Sequence, residues 1–108
     1  MKYLYGLGLA ESTALVTDGR FSGTNNGCFV GHISPEASEG SPLAIVADGD
    51  RITIDVTQGE LTLHVPEEEI TERLARWQPP KPRFTKGYLA LYSRLASSAA
   101  EGAIIKMD

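Results

Sequence analysis

Short apolar runs alternate with glycine- and proline-rich breaks along the whole chain. Thr13-Ala14-Leu15-Val16-Thr17 is apolar and β-branched and is ended by Asp18-Gly19, which predicts a buried strand. Residues 19–31 hold four glycines and two asparagines and read as a loop, with Asn26-Gly27 as a tight turn and Cys28-Phe29-Val30 as a second small apolar run. Ser34-Pro35-Glu36 reads as a helix start, with serine as cap, proline in the first turn and an acid at the positive end of the dipole. Gly40-Ser41-Pro42 closes that helix, and residues 43–46 predict another buried strand. Residues 51–56 and 61–65 each alternate polar and apolar about the Gln58-Gly59 turn, which predicts a hairpin. A helix over 66–77 places Ile70, Leu74 and Trp77 on one face. Pro79-Pro80-Lys81-Pro82 forms a stiff extended link, and a last helix over 88–99 carries Leu91, Tyr92 and Leu95 on one stripe. Ala103-Ile104-Ile105 adds a short final strand. Strands mixed with three short helices predict an α/β or α+β domain with a barrel-like or sandwich-like mixed sheet and peripheral short helices; too few long helical crossovers are present for a doubly wound sheet.

Length and charge narrow the picture. The 108 residues fit one compact domain, and 42% apolar with 22% charged residues is ordinary globular usage. Ten basic against fourteen acidic residues give a net charge of −4, which disfavours nucleic acid or an anionic membrane as partner. The single cysteine, Cys28, cannot form an internal disulfide and fits a reducing, cytoplasmic setting. The apolar stretch at residues 3–10 is interrupted by Gly6 and Gly8 and reads as the tail of a helix from a longer chain rather than a secretion signal.

Candidate chemistry concentrates in residues 17–27. This polar segment leaves the end of a strand, a common place for a site in α/β architectures. Gly19 and Gly23 let backbone amides approach an anion, and Ser22 offers a hydroxyl that such amides help to ionise. On spacing alone, the simpler reading is a turn capped by Asp18 with Ser22 facing water. His32 and His64 stand 32 positions apart with no ligand-spaced partner and read as structural, His64 toward solvent. Cys28 reads as a small core hydrophobe, and one cysteine cannot hold an iron–sulfur cluster. Glu67-Glu68-Glu69 is a solvated first helical turn rather than a metal patch.

A family resemblance then emerges. Ala14-Leu15-Val16-Thr17-Asp18-Gly19-Arg20-Phe21-Ser22-Gly23 resembles the C-terminal signature of the dihydroxy-acid and 6-phosphogluconate dehydratases. The likeness continues in order through Gly31-His32-Ile33-Ser34-Pro35-Glu36-Ala37, Asp48-Gly49-Asp50-Arg51-Ile52 and Trp77-Gln78-Pro79-Pro80. It ends with Tyr88-Leu89-Ala90-Leu91-Tyr92 and Ser97-Ser98-Ala99-x-x-Gly102-Ala103. Phe21 and the Gly31-His32-x-Ser34-Pro35-Glu36 run look like the dihydroxy-acid and sugar-acid branch.

The resemblance implies that residues 1–108 are a swivelling β/β/α domain that packs on a larger N-terminal domain absent from this chain. It implies loss of water from a 2,3-dihydroxy acid to give a 2-keto acid in valine and isoleucine biosynthesis, with Ser22 as the base at C2. Asp18, Gly19, Arg20, Gly23 and Thr24 would bind substrate or shape the site. An iron–sulfur cluster and magnesium would be held mainly by the missing domain, with no metal ligand and no cofactor expected on this chain alone. The full-length enzyme would be a cytoplasmic homodimer acting on a small dihydroxy acid, with no nucleic acid or membrane partner, and the isolated chain would be inactive. Thr24, Asn25 and Asn26 depart from the family's usual residues after the signature, which leaves a sugar-acid dehydratase as the alternative. A stand-alone anion-binding or interaction module is the reading from a different class.

Overall fold

Leu15 and Val16 favour extended backbone because their bulk packs well on a pleated surface, and they form β1 (Ala14–Val16). The computed structural model describes residues 1–23 and 26–107. These divide into two compact units, one of Met1–Glu36 with Lys81–Asp108 and one of Ala37–Pro80.

In the first unit, α1 (Lys2–Gly6) precedes β1, which pairs in parallel with β2 (Cys28–Val30) in the register Ala14↔Cys28, Leu15↔Phe29, Val16↔Val30. The pairing runs on past the strands. Thr17 N donates to Val30 O at 3.0 Å, Ile33 N to Thr17 O at 3.2 Å and His32 N to Gly19 O at 3.1 Å. α3 (Tyr88–Leu95) follows Gly87, and Ala96 then turns extended to bridge Ile105. A 3-10 turn at Ala99–Glu101 is capped by Ser98 and closed by Gly102 in the left-handed conformation.

The second unit holds 3-10 turns at Ala37–Glu39 and Pro42–Ile45, then the antiparallel hairpin of β3 (Ile52–Asp55) and β4 (Glu60–Leu63). Its turn is fixed by Asp55, whose Oδ1 accepts from Gln58 N at 2.9 Å, and by Gly59 at φ 70°. α2 (Glu67–Arg76) has three acids in its first turn and arginines in its last, as the helix dipole favours. Ile70, Leu74 and Trp77 are half-buried, in agreement with the sequence pattern. Arg73 forks onto Asp50 (2.5 and 3.1 Å), reaches Ile45 O at 3.2 Å and pairs with Glu69 at 2.6 Å, tying α2 to the turn before β3.

Several expectations are corrected. Residues 43–46 form a 3-10 turn rather than a strand: Pro42 starts it, and a four-residue apolar run carries no period that separates the two. The helix read at Ser34 is absent; the Ser34-Pro35 peptide is cis, and helical geometry begins at Ala37. The last helix stops at Leu95, and the strand at 103–105 shrinks to one bridge because Ala103 adopts φ 51°. β1 is half-buried rather than buried, and Cys28, expected as a core hydrophobe, is exposed, since both belong to a two-stranded ladder. Among the described residues the strands form two two-stranded sheets, with no closed barrel.

Among those residues Ala10 and Ala90 supply the buried apolar side chains, and no large side chain is fully buried. Large apolar residues stay exposed on α1, on α3 and near Ile104, including Tyr3 at 79%, Tyr88 at 73% and Leu91 at 53%. In α3 it is Ala90 that is buried, while Leu91 and Tyr92 of the expected stripe face outward. No helix is long and apolar enough to cross a membrane.

Candidate functional site

The loop after β1 is built from the backbone outward. Gly19 N donates to Thr17 Oγ1 at 3.0 Å, while Gly19 O accepts from His32 N. The first commits the Gly19 amide within the loop, and the second holds the start of the loop against the segment that follows β2. Phe21 is anchored next: its ring meets Phe29 edge-on, with centroids 6.1 Å apart and planes at 66°. A Cβ on Gly31 would lie 3.3 Å from Phe21 Cζ and 3.4 Å from Gly19 O, so a bare glycine lets this packing close. Ser22, the residue after that anchor, is exposed, and Gly23 turns the chain with φ 94°.

The structure therefore brings Asp18, Gly19, Arg20, Ser22 and Gly23 onto one loop. Asp18 is half-buried, and Arg20 is exposed with Ser22. Thr24, with Asn25, lies outside the described residues. Lys2 was not singled out by the sequence, yet its side chain runs beside the loop: a Cβ on Gly23 would sit 3.4 Å from Lys2 Cε. A nearby cation is one of the devices that ease ionisation of a hydroxyl.

Glu36 was also misplaced by the sequence reading, which used it as a first-turn acid in its own helix. Its Oε2 accepts from Ser98 Oγ at 2.7 Å and its Oε1 from Ala99 N at 2.7 Å, 62 and 63 positions away. The Ala99 amide, followed by the Ser98 hydroxyl, holds the carboxyl below its usual value. No periodicity carries a signal for contacts this far apart in sequence.

His32 carries φ 55° and bonds through its backbone, and His64 is exposed with Nε2 2.7 Å from Thr53 Oγ1. Beside α1, a cavity of about 640 Å³ is lined by residues including Tyr5, Glu11, Thr13, Asn26 and Cys28. Among the described residues no three His, Cys, Asp or Glu side chains gather as metal ligands. With one cysteine in the chain, these residues do not fit an iron–sulfur cluster, nor do they form a carboxylate set for magnesium.

The chain is small and α/β, and it presents an exposed serine, Ser22, on a glycine-bounded loop after its first strand. The profile of the dihydroxy-acid/6-phosphogluconate dehydratase C-terminal family matches residues 1–103, and the chain belongs to that family. It is 61% identical over 99 residues to a dihydroxy-acid dehydratase of Methylococcus capsulatus, covering 92% of this chain and 18% of that protein. It is 52% identical over 101 residues to one from Acetivibrio thermocellus and 54% over 101 residues to one from Methanococcus aeolicus, covering 94% of this chain and 18% of each relative. The chain thus spans under a fifth of the length of these relatives.

Proposed function

We propose that this chain is the C-terminal, base-bearing domain of a cytoplasmic dihydroxy-acid dehydratase, which removes water from 2,3-dihydroxy acids to give 2-keto acids in valine and isoleucine biosynthesis. Ser22 takes the C2 proton. That proton is weakly acidic beside a carboxylate, so its removal needs a strong base and donors aimed at the developing charge. A serine hydroxyl is a poor base at its free pKa and works only when ionised by its surroundings. The loop supports this role with the turn at Gly23, the exposed Ser22 and the Lys2 side chain beside Gly23. Asp18, Arg20 and Thr24 bind substrate or shape the site, as the family resemblance implies. The enol formed after water leaves tautomerises to the keto acid without further help.

The observation that carries the reading is the exposed serine on this loop, in a chain whose dehydratase match runs over residues 1–103. The relatives are named for dihydroxy acids, which favours that substrate over a sugar acid. The iron–sulfur cluster and magnesium are held mainly by a larger N-terminal domain, on which this swivelling domain packs with the exposed apolar residues of its first unit. The assembled enzyme is a homodimer.

The test uses the long polypeptide that carries this chain. Ser22→Ala should abolish turnover of 2,3-dihydroxyisovalerate while the denaturation midpoint stays put, and the 108-residue chain alone should be silent. A Ser22→Ala enzyme with undiminished kcat would overturn the assignment.

A further inference from the structure

The described residues hold two non-glycine positions with left-handed backbone, His32 at φ 55° and Ala103 at φ 51°. L side chains rarely adopt such φ values, and the strain persists only where the surroundings over-determine it. Both positions flank the same contact. His32 lies four residues before Glu36, and Ala103 follows the 3-10 turn that Glu36 caps. On the one side, His32 N and Ile33 N reach back to Gly19 O and Thr17 O, at the root of the Ser22 loop. On the other, Ala103 N donates to Ser98 O at 3.0 Å, and Ser98 with Ala99 donates to the Glu36 carboxylate.

From this arrangement we propose that Glu36 is a positioning residue for the Ser22 loop. Its carboxylate fastens residues 31–36 to the segment around Ser98, and the fastened stretch carries the strained His32 whose backbone bond fixes Gly19. Glu36 needs no contact with substrate: it sets where the loop begins, and Phe21 on Gly31 and Phe29 carries that placement to the neighbouring Ser22. The inference rests on the reading of Ser22 as the base, but its structural half can be tested without any turnover.

Glu36→Ala removes both acceptor oxygens, whereas Glu36→Gln keeps a carbonyl for Ala99 N and an amide that the Ser98 hydroxyl can meet by rotating. In the 108-residue chain, amide hydrogen exchange should quicken about tenfold at Gly19, His32 and Ile33 in Glu36→Ala, be largely restored in Glu36→Gln, and stay unchanged across β3 and β4. In the long enzyme, Glu36→Ala should lower kcat by about tenfold or more with KM within about twofold, Glu36→Gln should recover most of it, and Glu72→Gln should do nothing. Unchanged exchange at Gly19 and His32 in Glu36→Ala would overturn the proposal whatever the base is. If Glu36→Ala unfolds the first unit, Glu36→Gln decides: wild-type exchange and kcat support the clasp, and a loss equal to that of Glu36→Ala overturns it. Should Ser22→Ala stay active while the exchange pattern holds, the base assignment fails and the clasp stands.

Discussion

Phe21, on the loop after β1, lies edge-on to Phe29 of β2 at a centroid distance of 6.1 Å, and this contact fixes the backbone from which Ser22 projects. An aromatic pair of this kind contributes about 0.5–1.5 kcal/mol beyond its area burial. Phe21→Leu keeps an apolar group but loses the ring geometry. It should lower the stability of the first unit by about 1 kcal/mol in urea unfolding. In the long enzyme it should reduce kcat more than it raises KM, because the loop, and not a substrate contact, is disturbed.

Gly27 gives the sharpest steric test. Its φ is 136°, and an added Cβ would lie 2.9 Å from Ala10 O and 3.2 Å from the Phe29 ring. Gly27→Ala should destabilise the first unit by about 1–3 kcal/mol, read as a lowered denaturation midpoint. Gly49→Ala, at φ 95° with open space around it, isolates the backbone share of such a cost and should stay near 1 kcal/mol. Equal losses at the two positions would remove the crowding argument.

Ser41 makes the opposite prediction. It is buried, and among the described residues its Oγ has no hydrogen-bond partner, although it precedes a 3-10 turn where a capping serine would be expected. A buried hydroxyl without a partner costs about 1–3 kcal/mol of desolvation. Ser41→Ala should therefore leave the second unit as stable as wild type or more so. Trp77, the chain's one tryptophan, packs against Gly40 and reports the unit's unfolding by fluorescence. A clear loss of stability would show that the hydroxyl is in fact satisfied.

Both units should weaken in acid. Ala99 and Ser98 hold the Glu36 carboxyl below its usual 4.5, and Arg73, with the Ala47 amide, holds Asp50 below its usual 3.8. A depressed folded-state pKa gives stability that is complete above the unfolded value and disappears as pH falls through the folded one. Denaturant midpoints should hold from neutral pH down to about these ordinary values and decline below them. Glu36→Gln should flatten the decline for the first unit and Asp50→Asn for the second. Arg73 is shifted upward by the same contacts, so its contribution stays in place until strong alkali.

The readable and unreadable parts of the fold differ in range. The β3–β4 hairpin and α2 were legible because alternation, a glycine turn, first-turn acids and a 3.6-residue apolar face are all local signals. Residues 43–46 misled because four apolar positions carry no period, and the helix expected from Ser34 starts only at Ala37 because Glu36 serves a distant contact with Ser98 and Ala99. At the candidate site, glycine spacing marked the Ser22 loop. Its supports, from Glu36 to Ser98 and from Phe21 to Gly31, join residues ten to sixty-two positions apart and leave no pattern in a single sequence.

The scarcity of sequestered apolar side chains also shapes how the chain responds to heat. The heat-capacity change on melting follows the apolar area that folding removes from water. A chain that leaves Tyr3, Tyr88 and Leu91 wet should melt with a heat-capacity step below the usual ~12–15 cal/mol/K per residue. Its stability then varies gently with temperature, with little loss on cooling. In the longer dehydratase proposed above, with those side chains covered, the same residues should show a steeper, more strongly curved profile.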